Sequence, residues 1–208
     1  HLAGLGLGAD VASDGELETA LRARFQRERI VFTGPGKRDA ELRRAASLGI
    51  RAVTVESPGE LVRLERVAAA MGRRVPVLRR LAVSEQARLE RVRLVGDDGA
   101  GKFGMDRRDA VVAAQRAVAS PHLEWLGLHA FGASNVLAAG DLAAHVAATV
   151  AVARDIAATT GAPLRLVDVG GGLGIPYEAH EESLDLVALG GHLAALERTW
   201  AADPLLAG

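Results

Sequence analysis

The sequence predicts an α/β protein with a parallel sheet. Two observations carry that expectation. Short apolar runs rich in valine, isoleucine and leucine recur along the chain, and segments of helical periodicity, several with their own start and stop residues, lie between them. A parallel strand is covered on both faces, so it reads as a nearly continuous apolar run rather than an alternating one. Strands are expected at residues 9–12, 30–33, 52–55, 75–78, 125–129 and 164–169, and helices at 15–23, 39–48, 58–71, 107–119 and 141–160.

In order, the 9–12 run passes through Ser13 into the first helix, where Glu16 reads as a first-turn carboxylate favoured by the helix dipole. The 30–33 run enters a Gly-Pro-Gly-Lys-Arg loop that carries Lys37, and Gly49 ends the helix beyond it. After 52–55, Ser57 and Pro58 supply an N-cap and a first-turn proline, and Gly72 stands at the helix end. The 75–78 run leads to Arg80. A guanidinium amid apolar residues is expensive unless paired, so a carboxylate or phosphate partner is expected there. Asp106 marks the start of the next helix, and Gly161 the end of the one after the 125–129 strand. Strands separated by one helix each suit a (β/α)₈ barrel or an open doubly wound sheet, and periodicity does not separate the two.

The chain has 208 residues, 49% hydrophobic and 25% charged, enough for one domain with a sizeable core. Its formal charge of −1 argues against a dedicated nucleic-acid or anionic-membrane surface. Cysteine is absent, which removes disulfides, thiolate metal sites and a thiol nucleophile. No charged-then-apolar signal segment opens the chain and no apolar run is expected to reach the ~18 residues of a membrane span, so a cytoplasmic location is the expectation. No spacing of His, Asp and Glu suggests a metal site. His1, His122, His145, His180 and His192 are expected at the surface.

The most informative stretch is Val167-Asp168-Val169-Gly170-Gly171-Gly172-Leu173-Gly174, an apolar strand that empties into three glycines. Such a loop offers successive N–H groups to an anion, and a Cβ would keep phosphate oxygens from the main chain. Asp168 lies two residues before Gly170 and points to the same side, which fits either a supporting contact or a carboxylate bonded to nearby backbone. A second strand end, Leu126-Gly127-Leu128-His129-Ala130-Phe131-Gly132-Ala133-Ser134-Asn135, places an imidazole and a hydroxyl five residues apart. Barrel chemistry collects at the C-terminal strand ends, so Asp10, Ser13, Thr33, Glu56, Arg80, His129, Ser134 and Gly170 are the residues to weigh.

Together these runs resemble the pyridoxal-phosphate-dependent amino-acid decarboxylases with an alanine-racemase-like barrel, the group of the diaminopimelate, ornithine and arginine decarboxylases. Gly8-Ala9-Asp10-Val11-Ala12-Ser13 with Gly15-Glu16-Leu17, Ile30-Val31-Phe32 with Gly34, Val55-Glu56-Ser57 with Glu60-Leu61, Pro76-Val77-Leu78 with Arg80, and Gly101-Lys102-Phe103-Gly104 follow in that family's order. The resemblance selects the (β/α)₈ barrel and implies that residues 1–208 form part of it, about six βα units, with an N-terminal strand region and a C-terminal β-domain outside the chain. It implies pyridoxal 5′-phosphate as cofactor, with His129 stacked on the pyridine ring, Ser134 donating to the phosphate, Gly170, Gly171 and Gly172 cradling it, and Arg80 and Asp168 nearby. Asp10 and Glu16 match acidic positions near the cofactor's lysine. Lys37 and Lys102 are the only lysines. Neither matches the family's Schiff-base lysine, which the resemblance places upstream of residue 4; Lys102 reads as a solvated loop lysine.

The implied activity is decarboxylation of a small-molecule amino acid by a homodimer with shared sites, and the 208 residues alone are expected to be inactive. A regulatory relative without activity, or another barrel enzyme that binds a phosphorylated substrate, are the rival readings. The sequence departs from the family at Ala82 and Val83, at Ala133 where glycine is usual, and at Asn135 where glutamine is common. Those departures suggest a member outside the main diaminopimelate branch, with room for a carrier-tethered amino acid.

Overall fold

The computed structural model describes residues 1–82, 104–132 and 134–206. Ala133 and residues 83–103, which include Val83 and Lys102, lie outside them. Among the described residues six strands form one sheet: β1 Ala9–Val11, β2 Ile30–Phe32, β3 Ala52–Val55, β4 Val75–Leu81, β5 Leu123–Ala130 and β6 Leu166–Asp168. The helices α1 Asp14–Arg22, α2 Asp39–Leu48, α3 Pro58–Ala70, α4 Arg107–Ala119 and α5 Ala139–Thr160 alternate with them, and α6 Leu186–Trp200 follows β6.

The sheet order is β1-β2-β3-β4-β5-β6 and every pairing is parallel. A doubly wound sheet reverses its strand order at a switch point; this one never does, so the winding is that of a (β/α)₈ barrel, of which six strands curl as an incomplete ring. The starts of α1, α3 and α4 carry the N-caps Ser13, Ser57 and Asp106, whose side chains accept the N–H groups of Glu16, Glu60 and Asp109.

Two layers of apolar side chains flank the strands. Phe32, Val53, Val77 and Leu128 pack outward with Leu17, Leu42, Leu64 and Ile156 in the main core. Ala52, Leu78 and Leu126, joined by Val31 and Leu166, form a separate inner cluster. Strand alternation then sets Thr54, Arg80, Asp10 and Asp168 on the inner face. β5 breaks the alternation. The β4–β5 register steps from Val77 opposite Trp125 to Leu78 opposite Gly127, skipping Leu126. Gly127 takes φ +144°, and a Cβ on it would lie 2.1 Å from the Leu166 carbonyl oxygen. This bulge returns Leu128 to the outer core and turns His129 inward.

Three expectations need correction. β4 runs on to Leu81 because Arg79 and Arg80 belong to the strand despite their charge. Arg79 is fully buried on the outer side, none of its guanidinium nitrogens has a hydrogen-bond partner among the described residues, and burial pulls its pKa down to about 9, opposed by Asp109 and Asp106. α6 was not expected, because Gly190-Gly191 in its middle each cost about 1 kcal/mol of helix propensity; Leu189 packs on Leu142 and Val136, and Asp185 caps the start. α5 is long and apolar enough to cross a membrane, at a mean hydropathy of 1.3, contrary to the sequence reading. Its Leu142, Thr149, Ala153, Ile156 and Ala157 recur at helical spacing and are buried.

Candidate functional site

At the C-terminal strand ends the inner face becomes polar. Arg80, His129 and Asp168 are lateral neighbours on β4, β5 and β6. Asp10 on β1 closes toward them from the far strand, so that one ligand-type atom each of Asp10, His129 and Asp168 lies within 4.8 Å of the others. Spacing along the chain showed no such group, because its members come from strands far apart in sequence. Each carboxylate spends one oxygen on a neighbour: Asp10 Oδ1 accepts the Thr33 hydroxyl at 2.8 Å, and Asp168 Oδ1 accepts the Gly170 N–H at 2.9 Å.

His129 is 3% exposed and its Nδ1 has no hydrogen-bond partner among the described residues. Burial lowers its pKa, with Asp168 opposing, so the ring is held as a neutral, flat imidazole. Asp10 moves the other way: loss of hydration raises it to about 6, opposed by the Thr33 hydrogen bond and assisted by Asp168. Arg80 finds the expected carboxylate in Glu56, whose two oxygens both lie 2.9 Å from Nη1. Glu16 caps its own helix, accepting the Ala12 N–H at 2.6 Å.

The two loops singled out in the sequence are joined to each other. Val136 donates to the Gly172 carbonyl at 2.8 Å, Gly174 donates back to Val136 at 2.9 Å, and Asn135 Oδ1 accepts the Ile175 N–H at 2.8 Å. Ser134 lies half-buried at this junction. Gly170 and Gly172 take φ +73° and +91°, and a Cβ at Gly170 would meet the Ala130 carbonyl oxygen at 2.8 Å. Around Gly171 the space is open. Since the Gly170 N–H is given to Asp168 and the Gly172 carbonyl accepts from Val136, the N–H groups of Gly171 and Gly172 are the loop's candidates for an anion.

Two buried residues escaped the sequence reading. His145 was expected at the surface, yet it is 4% exposed, its Nε2 lies 3.1 Å from the Val169 carbonyl oxygen, and its ring fills the place a side chain on Gly132 would take. Its spacing of three from Leu142 and four from Thr149 was the available signal. Lys37 is 2% exposed and pairs with Glu60 at 3.1 Å; a loop rich in glycine gave no hint of burial.

A glycine loop that offers main-chain N–H groups, a neutral imidazole on β5 whose Nδ1 has no hydrogen-bond partner among the described residues, and an arginine paired with Glu56 fit a flat, phosphorylated aromatic cofactor. The fold and site define a barrel protein that binds a phosphate-bearing cofactor at its strand ends. The sequence model for the pyridoxal-binding domain of pyridoxal-dependent decarboxylases matches residues 1–203. The chain belongs to that family. It is 33% identical over 192 residues, 89% of the chain and 44% of the relative, to an L-glutamyl-[BtrI acyl-carrier protein] decarboxylase of Niallia circulans. It is 33% identical over 180 residues, 86% of the chain and 42% of the relative, to the diaminopimelate decarboxylase of Neisseria meningitidis serogroup B. A crystal structure of a diaminopimelate decarboxylase variant of Helicobacter pylori complexed with L-lysine superposes with a TM-score of 0.80 at 29% identity, covering 99% of the chain and 50% of that structure. The chain thus spans less than half the length of the two curated relatives it matches here.

Proposed function

We propose that the full-length protein decarboxylates an amino acid with pyridoxal 5′-phosphate. The observation that carries this reading is the convergence of the Gly170 to Gly172 loop with the inward-turned His129, joined through Val136 and Asn135. Bound there, the cofactor supplies an electron sink for the pair left when CO₂ departs. The chain's own groups orient it. Gly171, Gly172 and Ser134 would hold the phosphate and His129 would support the ring as a neutral imidazole, while Asp168 fixes the loop's entry by holding Gly170. Arg80 brings a positive charge to the inner cluster without being left unpaired, and Asp10 exchanges its proton near neutral pH.

Lys37 is committed to Glu60 and Lys102 does not match the family's Schiff-base lysine, so this reading takes the lysine that anchors the cofactor, and a C-terminal β-domain, from the rest of the full-length protein. Residues 1–208 are the cofactor-binding part of the barrel in a cytoplasmic homodimer with shared sites. The substrate is a small amino acid of the diaminopimelate kind or one tethered to a carrier protein, in keeping with the Niallia circulans relative. Full-length protein with pyridoxal phosphate should release CO₂ from one free or carrier-bound amino acid. Gly172→Val, at φ +91°, should abolish cofactor retention; retention equal to the wild type would overturn the placement.

A further inference from the structure

The polar groups at the strand ends connect to a second, deeper set that the reaction does not use. Lys37 sits in the β2–α2 loop with its ammonium 3.1 Å from Glu60 Oε1, the two side chains 1% and 3% exposed. The ammonium also donates to the Gly34 carbonyl and lies 5.8 Å from the Phe32 ring centroid. The loop is pinned from outside: Arg63 Nη2 donates to the Lys37 carbonyl at 2.9 Å and Arg63 Nη1 pairs with Asp39 at 3.2 Å.

Glu60, third residue of α3, uses its other oxygen to accept the Glu56 N–H at 2.8 Å. Glu56 is the first residue beyond β3, and its carboxylate grips Arg80. One carboxylate is therefore neutralised by Lys37 and fixes the main chain of the residue that aims Arg80. A buried ion pair is a poor means of stabilising a fold, because dehydrating both charges offsets their attraction. Apolar residues of the same size would serve packing as well. Here the pair stands behind the inner cluster: burial lowers Lys37 and raises Glu60, each opposed by the other, and both Lys37 and Glu56 act on His129.

We propose that Lys37 is a positioning residue: its buried pair with Glu60 holds the Glu56 main chain in place, and through Glu56 sets the Arg80 guanidinium against the His129 and Asp168 cluster where the cofactor binds. This rests on the cofactor reading given above. Replacing Lys37 leaves the Glu60 carboxylate buried, uncompensated and close to Glu56, and the grip on Arg80 loosens. Replacing both partners removes that charge, and a glutamine at 60 still accepts the Glu56 N–H.

The test uses full-length protein as Lys37→Met, Glu60→Gln and the double variant, with two readouts. The first, on protein stripped of cofactor, is the exchange protection of the Arg80 guanidinium protons by NMR. The second is affinity for added pyridoxal phosphate by fluorescence titration. Lys37→Met should lose Arg80 protection and weaken cofactor binding about tenfold, with the double variant recovering most of both, as expected of coupled neighbours. If Lys37→Met does not fold, Glu60→Gln breaks the ion pair from the other side, leaving the Lys37 ammonium buried without its carboxylate, and should act in the same direction. Unchanged Arg80 protection, or lost protection with unchanged cofactor affinity, overturns the positioning role alone. A wild type that takes up no pyridoxal phosphate overturns the cofactor reading, and the role with it.

Discussion

Asp10 and His129 share one cluster, and burial moves them in opposite directions. Asp10 is raised from 3.8 to about 6, so the folded chain holds its proton more tightly than the unfolded chain does. That contribution to stability is complete below the ordinary carboxylate range and is lost as pH rises through about 6. His129 is lowered: the unfolded chain takes up the imidazole proton first, so its contribution is present above the ordinary histidine range and is lost as pH falls. Asp10→Asn keeps an acceptor for Thr33 and removes only the titration. Its urea midpoint should gain on the wild type between about pH 4 and pH 7, where Asp10 loses its proton. A constant difference across that range would show that Asp10 is not dehydrated in the fold. At this scale the sequence singled out Arg80, His129, Asp168 and Asp10 one by one but not their company, since they meet only through strand register.

β5 decides where His129 points. Without the extra residue between Trp125 and Gly127, a period of two would send positions 125, 127 and 129 to one face, and the imidazole would go into the helix layer. Gly127 permits the bulge because no other residue accepts φ +144° with the Leu166 oxygen so close. Gly127→Ala should cost about 1–3 kcal/mol in backbone strain, beyond the contact with β6, and should lower both the thermal midpoint and cofactor affinity. Wild-type values for both would mean that the bulge does not aim His129. Elements with strong local signals were legible, as Ser57-Pro58 before α3 shows. α6 was not, because its glycine pair opposes the helix locally and only packing of Leu189 on Leu142 and Val136 restores it.

At the scale of the molecule, β1 and β6 are the outer strands of the described sheet. Unpaired strand edges are templates for association. Beside β6 an apolar groove is lined by Val146, Val150, Leu166, Val167 and Trp200. Expressed as these 208 residues alone, the chain should self-associate, seen as light scattering that grows with concentration, and should release no CO₂ when pyridoxal phosphate is added. A stable monomer in solution would refute the edge argument.

The sequence by itself determined the alternation of strands and helices, the capped helix starts, the glycine loop at 170–172 and the demand of Arg80 for a partner, because each rests on neighbours along the chain. The tertiary structure alone decided that the partner is Glu56, that His129 turns inward, that Lys37 is buried, that His145 meets the Val169 carbonyl, and that α5 packs on the sheet. Those depend on strand register, on one skipped residue and on which face of an element is covered. Contacts between residues 24 or more positions apart, such as Glu56 with Arg80 or His145 with Val169, leave no local periodicity to read.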